Sequence, residues 1–528
     1  MTIYTAITFA PVQGFIEKSR KLRDLYGASQ ILSYLSQQIV KLANSEDVIS
    51  PARIKLQRGM PNRILLKEEF TQEQVEKTML SAWKQVLEEC RNWIEEKLPE
   101  YKNEYHWKKD WGKWGNYSWE IFVGKGDSIT AAMEDLDNCK LSRGWTAVNW
   151  IGESSSLTGT DGIAFPGLGA EDRHPDKLNW RNEGMRIKEF YHKLAFIPYD
   201  PKPDKEPEGK YIAANERLSI PELVKRLVTL PEIAKILEMS VLESSFSDIY
   251  RRPEKITEKD KGRWTGWFMG DGDEVGKYLK KLAKQENEEV LVKKFSQDMR
   301  EWGKNFYRDF PQDLGRVIYA GGDDFLGVIY SEQHEDEIQP QRAFDWLKSL
   351  PEEWKKNKHK DITLSVGFIW AGHSVPQRDI LQHCREAEKH AKSLGRDRIT
   401  IRILFNSGQY VQWTCPWDYL DILNQYRDRE GKSNWSHVYQ DLAQLQSRHA
   451  FRIDAQTFDY KFAINFLKIY FPHTHVDQLL DDSSAKYIVG FSDDASGYER
   501  ATAIIAWIND MINIGWHLCS NTSSPSAL

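Results

Sequence analysis

Apolar and polar positions fall into two rhythms that recur along the chain. TIYTAITFA at 2–10 is β-branched and aromatic and ends at Pro11, which predicts a strand. Phe15, Ile16, Leu22, Leu25, Ile31, Leu32, Leu35 and Ile39 then recur at helical spacing. A hairpin-like run, ARIKLQRGMPNRILL at 52–66, precedes a second helix opened by Thr71 and Gln74 at capping-box spacing. Val75, Met79, Trp83, Val86, Cys90 and Ile94 share one face of that helix. YSWEIFVG at 117–124 supplies a further strand and 127–142 a further helix. The order is βαββαβ, that of a ferredoxin-like or palm domain.

Between about 150 and 235 the rhythm is lost. GESSSLTGTDGIAFPGLG and then PYDPKPDKEPEGK, a Pro-rich charged stretch that cannot bury enough apolar surface to pack, read as an inserted connector. From 262 the pattern returns: strand RWTGWFMG, helix 273–306, hairpin 315–330, helix 341–356, strand ITLSVGFIW, helix 377–394 and strand RITIRILF. This is βαββαβ again with one strand added, which suggests a distant duplication. Its last helix carries Ile380, Leu381, Cys384, Ala387, Ala391 and Leu394 on one side and stops at Gly395, a C-cap glycine. Beyond 406 the chain reads as helical and aromatic, as in FDYKFAINFLKIYF. The expected class is α+β: a first palm-like domain at 1–150, a connector at 151–240, a second palm at 241–405 and a helical domain at 406–528.

Charge and composition narrow the chemistry. The net charge of −6 over 528 residues gives no global attraction to phosphate, so a nucleic-acid contact has to be local or shared with other chains. Five scattered cysteines without a C-x-x-C pair argue against a disulfide framework and a zinc ribbon, and fit a reducing cytoplasm. The longest apolar run, ATAIIAWI at 501–508, is too short to span a bilayer, so no membrane association is expected. His383, His390, His473 and His475 read as exposed or hydrogen-bonded histidines rather than ligands. Trp413, Trp417, Tyr419 and Tyr426 read as core, with stacking on a partner or RNA as the alternative.

The informative stretch is VIYAGGDDFLGVIY at 317–330. A turn needs Gly with one Asp or Asn, and the second acid lacks a structural cause. In a βαββαβ sheet the hairpin neighbours the first strand, which ends in MGDGDEVGKYL; Asp271 and Asp273 therefore come opposite Asp323 and Asp324. Two like charges about 4 Å apart repel by roughly 4 kcal/mol at an effective dielectric near 20, and a divalent cation removes that cost. Oxygen ligands favour Mg²⁺ or Mn²⁺ over zinc, and two such ions suit an in-line attack on a triphosphate. Gly321 and Gly322, with Gly270 and Gly272 across from them, permit a nucleotide to approach closely. Lys389, Lys392, Arg396 and Arg398 stand where they meet phosphates or complement the end of a helix.

GGDD, with DGDEVG before it and REAEKHAKSLGRDRI after it, resembles the palm of nucleotide cyclases and polymerases, the last passage being similar to the closing signature of GGDEF-type diguanylate cyclases. FAPVQGFIEKSRKLRDLYGASQILSYLS followed by MPNRILL resembles the first palm of the large subunit of type III CRISPR effector complexes, Cmr-type lineage; the resemblance covers roughly 1–405. It implies an ATP-dependent cyclase that makes cyclic oligoadenylates when the guide RNA of the complex pairs with a target RNA, working among partner subunits. Asp323 and Asp324 would be the catalytic metal holders, Asp271 and Asp273 further ligands of two Mg²⁺ or Mn²⁺ ions, and Lys392 and Arg396 contacts to the nucleotide. The first palm, with Pro61, Asn62 and Arg63 where the second has acids, would bind ATP as acceptor, helped by Arg20 and Arg23 beside Lys18 and Lys21, unless these four form a solvated helix face. Two departures matter. No His-Asp dipeptide occurs, so the family's HD nuclease activity is not expected. Ser156, Ser219 and Glu222 stand where zinc-binding thiolates would be, so no structural zinc is expected. The alternatives are adenylyl transfer to another acceptor and a catalytically silent scaffold.

Overall fold

A computed structural model describes residues 2–52, 61–102, 107–144, 152–165, 179–197, 211–242, 262–331, 337–428, 430–451, 460–472 and 476–520, with a few single residues between them. The Pro-rich stretch 198–210, most of the first arm of the early hairpin, His473 and His475 lie outside the described residues. The chain divides into two compact units, 1–248 with 279–303, and 249–278 with 304–528.

The first unit is built on strands β1 (Tyr4–Ala10), β2 (Val48–Ser50), β3 (Ile64–Leu66) and β4 (Glu120–Gly126), in the sheet order β2-β3-β1-β4. β1 is central and antiparallel to both neighbours, with Ile7 opposite Ile64 on one side and Val123 on the other. That is the ferredoxin-like order expected from the sequence. The predicted helical stripes meet in one buried cluster that includes Phe15, Ile31, Leu35, Val75, Met79, Trp83 and Val86. Thr71 and Gln74 form the capping box. β4 is an edge strand, and three of its outward backbone groups are occupied: Gln72 Nε2 donates to Ile121 O (2.7 Å), Cys139 Sγ to Val123 O (3.4 Å), and Lys125 N to Asp135 Oδ2 (2.8 Å).

Described parts of the connector contribute to the core, whereas the Pro-rich stretch read as unable to pack lies outside the described residues. Ile163, Phe165, Tyr211, Leu218, Ile220 and Leu223 belong to the same buried cluster. Their polar neighbours are buried too, each with a partner. Arg226 is held by Asp24 (2.6 Å) and by Glu216, and the Glu222 carboxylate accepts from Ser155 Oγ (2.6 and 2.9 Å), Thr158 Oγ1 (2.8 Å) and Ser219 N (2.8 Å). Ser155, rather than Ser156, is thus the residue that ties this loop to Glu222.

The second unit holds β5 (Thr265–Gly272), β6 (Gly315–Ala320), β7 (Asp324–Ile329), β8 (Leu364–Ala371), β9 (Arg398–Leu404) and β10 (Tyr410–Pro416), ordered β10-β9-β8-β5-β7-β6. The four strands β8-β5-β7-β6 repeat the ferredoxin order, and β9 adds in parallel to β8. β10 lies where a helical region was expected; it pairs antiparallel with β9 from Tyr410 opposite Leu404 to Pro416 opposite Arg398. Trp413, 1% exposed, packs against Trp507, and Tyr426 against Trp435, so both serve as core. One sheet face carries Phe268 against Phe310 and Trp346. The other carries the helix Gln377–Ser393, whose Ile380, Leu381, Cys384, Ala387 and Ala391 are buried as predicted. That helix lies so close that a Cβ at Gly367 would collide with the Cys384 carbonyl.

Candidate active site

β5 runs between β7 and β8, and the register sets Asp271 opposite both Asp324 and Ser365. Directly opposed residues project from the same face, so the two acids share the face that carries the helix Gln377–Ser393. The hairpin tip is laced to the end of β5: Gly321 N donates to Asp324 O and Gly272 N to Asp323 O, both at 2.9 Å.

Lys392, from the last turn of that helix, ion-pairs with Asp271 and with Glu388 (2.5 Å). Burial raises the pKa of Asp271 above the ordinary carboxylate value even though Lys392 opposes it, and Asp273 adds to the rise. Asp324 is pushed up to about 8, by desolvation first and then by the charges of Asp323 and Asp271. The residue is exposed, so water tempers the repulsion without reversing its direction. Burial likewise raises Glu388.

Asp273 has another surrounding. It is 3% exposed, and its carboxylate accepts from Ser365 Oγ (2.7 Å), Thr363 Oγ1 (2.9 Å) and Asp397 N (3.0 Å), while its own N–H donates to Thr363 O (2.8 Å). These bonds fasten the end of β5 to β8 and to the turn after the helix. The backbone at both places is strained: of six non-glycine residues with positive φ among the described residues, Glu274 (57°) follows β5 and Arg396 (65°) and Asp397 (50°) lie in the turn. Such positions cost about 1 kcal/mol or more each and cluster at functional sites.

The remaining sequence candidates separate. Gly321 and Gly322 sit at the tip, beside the acids. A Cβ on Gly270 would run into the Phe325 ring, on the opposite face, and one on Gly272 would come within 3.0 Å of Trp354; close packing accounts for both glycines. Arg396 is partly exposed, with Nη1 3.8 Å from Glu274. In the first unit Arg23, 3% exposed, lies 4.0 Å over Tyr211 and 4.8 Å over Phe246 and donates to Thr229 Oγ1 (3.2 Å), an enclosure that corrects its assignment to a nucleotide or to a solvated face. Lys18 bonds Asp161 (2.7 Å) and Lys21 faces Glu216 (3.8 Å). Arg20 is exposed; Asn62 and Arg63 are half-buried, Arg63 3.3 Å from Asp137. Sequence reasoning missed Thr363, Ser365 and Glu388, although a Ser inside the apolar run ITLSVGF was a signal.

Among the described residues no three His, Cys, Asp or Glu side chains converge as a metal cage. The reason is local: Asp273 is turned inward to its own donors and Asp271 is engaged by Lys392. The crowded carboxylates of Asp323 and Asp324 nevertheless fit a magnesium-like ion, which takes one or two carboxylates and completes its shell from substrate phosphates and water.

A ferredoxin-like sheet with an acid-tipped hairpin beside an acid-ended first strand defines a palm domain. Residues 265–400 match the family described as Cas10/Cmr2, second palm domain, and residues 4–55 match CRISPR-associated protein Cmr2, N-terminal. The matches bear out the resemblance read from the motifs: one segment of the chain matches the Cas10/Cmr2 second palm and another the Cmr2 N-terminal region. Its fold is similar to a chain of type III-B Cmr-beta in the apo state (TM-score 0.60, 12% identity, 97% of this chain and 82% of that chain) and of Cmr-beta bound to cognate target RNA (0.55, 11%, 97% and 83%). A lower similarity is to a Csm1-Csm4 cassette in complex with one ATP (0.47, 13%, 98% and 70%). No curated protein matches. Among the described residues no helix is long and apolar enough to cross a membrane.

Proposed function

We propose that this chain is the large subunit of an RNA-guided type III CRISPR effector complex, and that its second palm converts ATP to cyclic oligoadenylates when the complex binds target RNA in the cytoplasm. The observation that carries this is the cross-strand pair Asp271–Asp324, crowded beside Asp323 at the hairpin tip within the matched palm segment. Asp271, Asp323 and Asp324 would hold Mg²⁺ or Mn²⁺, which when bound would offset phosphate charge and acidify an attacking hydroxyl. Lys392 and Arg396 orient the triphosphate. Asp273 acts as a positioning residue, holding the end of β5 against β8 through Ser365 and Thr363. In the reaction a 3′-oxygen bonds to an α-phosphorus, the bond to the β-phosphate breaks and pyrophosphate leaves.

The test is to incubate the chain, alone and with partner subunits plus matched RNA, with labelled ATP and Mn²⁺. Cyclic oligoadenylates are the expected products, and they disappear in an Asp323→Ala, Asp324→Ala variant that still assembles. The ammonium already seated on Asp271 favours a second reading, a silent scaffold, which product formation by the wild-type chain excludes. Adenylyl groups found only on another acceptor would redirect the assignment.

A further inference from the structure

β6 departs from regular pairing at one point. Val317 is opposite Gly327 while Tyr319 is opposite Leu326, so β6 advances two residues where β7 advances one. Such a β-bulge re-aims side chains, and here it decides which face Tyr319 takes. In regular pairing residue 318 would face Leu326 and residue 319 would face Phe325, whose ring packs with Phe268 and Phe306 on the side away from the acids. The bulge instead registers Tyr319 with Leu326, two residues along β7 from Asp324 and itself opposite Met269, two residues before Asp271. The phenol thus shares the face of the acid pair.

Tyr319 is half-buried, and its hydroxyl has no hydrogen-bond partner among the described residues. Its ionisation is opposed by burial first, and then by Asp324, Asp271, Glu388 and Cys384, which lifts it well above the ordinary phenol value. The group is therefore a neutral donor, beside a site that receives anions, with no acceptor among the described residues to satisfy it.

We propose that Tyr319 contacts the substrate of this palm, its hydroxyl donating to a phosphate oxygen of the nucleoside triphosphate seated on the Asp271–Asp324 face. This rests on the function proposed above. A hydrogen bond to an ionised phosphate is stronger than one between neutral groups, and its loss is read as roughly a tenfold weakening.

The test is Tyr319→Phe, which removes the hydroxyl and keeps the ring. Binding of a non-hydrolysable ATP analogue with Mn²⁺ is measured by calorimetry on the full chain, next to Mn²⁺ binding alone by electron paramagnetic resonance and the melting temperature. The expected result is analogue affinity down about tenfold, with Mn²⁺ affinity and melting unchanged. Wild-type analogue affinity in the variant overturns the proposal, as does a loss confined to Mn²⁺ binding or stability, which marks a structural role. If wild-type chain binds no analogue, or an Asp323→Ala, Asp324→Ala chain binds it equally well, the site assignment itself falls and this proposal with it.

Discussion

Asp324→Asn removes a charge that the fold crowds while keeping the shape of the side chain. An acid whose folded pKa exceeds its unfolded value costs stability as it ionises: nothing is lost below pH 3.8, the cost grows as pH rises, and it is complete above about 8. At face value that interval corresponds to ~6 kcal/mol. Asp324 is exposed, and solvent screening brings the figure to about 1–2 kcal/mol. In a unit of this size that is roughly 2–8 °C in melting temperature. Wild-type and variant chains melted by calorimetry in EDTA should differ in the unexpected direction, with the variant the more stable at pH 8 and the gap much smaller at pH 5. Mn²⁺ should then raise the wild type more than the variant. A variant that melts at or below the wild type at pH 8 without metal would refute the claim that these carboxylates repel one another.

Two other substitutions read the same site. Lys392→Met removes the ammonium from Asp271, so Mn²⁺ affinity without nucleotide should rise several-fold in a titration while the KM for ATP increases; unchanged metal affinity means Lys392 does not compete for Asp271. Asp273→Asn presents an amide to donors from Ser365, Thr363 and Asp397, and should cost about 2–3 kcal/mol in urea unfolding; a loss under about 0.5 kcal/mol would show that the fastening is dispensable.

Both ferredoxin-like sheets were legible because strand and helix periods alternate cleanly, and because topology alone makes a hairpin neighbour the first strand; that is how Asp271 and Asp324 were paired. The unread parts depend on contacts distant in sequence. Asp273 lies one residue past β5, where strand alternation no longer dictates direction, and its side-chain partners stand on the far side of three helices and a hairpin. Arg23 sits in a basic run that looks solvated, yet Tyr211 and Phe246, some two hundred residues on, enclose it. The core contributed by the connector was not read, because Glu222 and Arg226 give no hint in sequence of the hydroxyls and carboxylates that satisfy them. β10 followed a short turn, and its Trp413 was counted with the helical aromatics. The bulge in β6 leaves no mark in composition.

The partly bonded margin of β4 has a consequence for company. A bare strand would accept any passing β-segment, whatever its side chains, and copies of the chain would be free to zip together at high concentration. With Gln72, Cys139 and Asp135 already bonded along that margin, a neighbour gains less from backbone pairing and more from the chemistry of its surface. On that flank, docking becomes a matter of identity rather than of backbone alone.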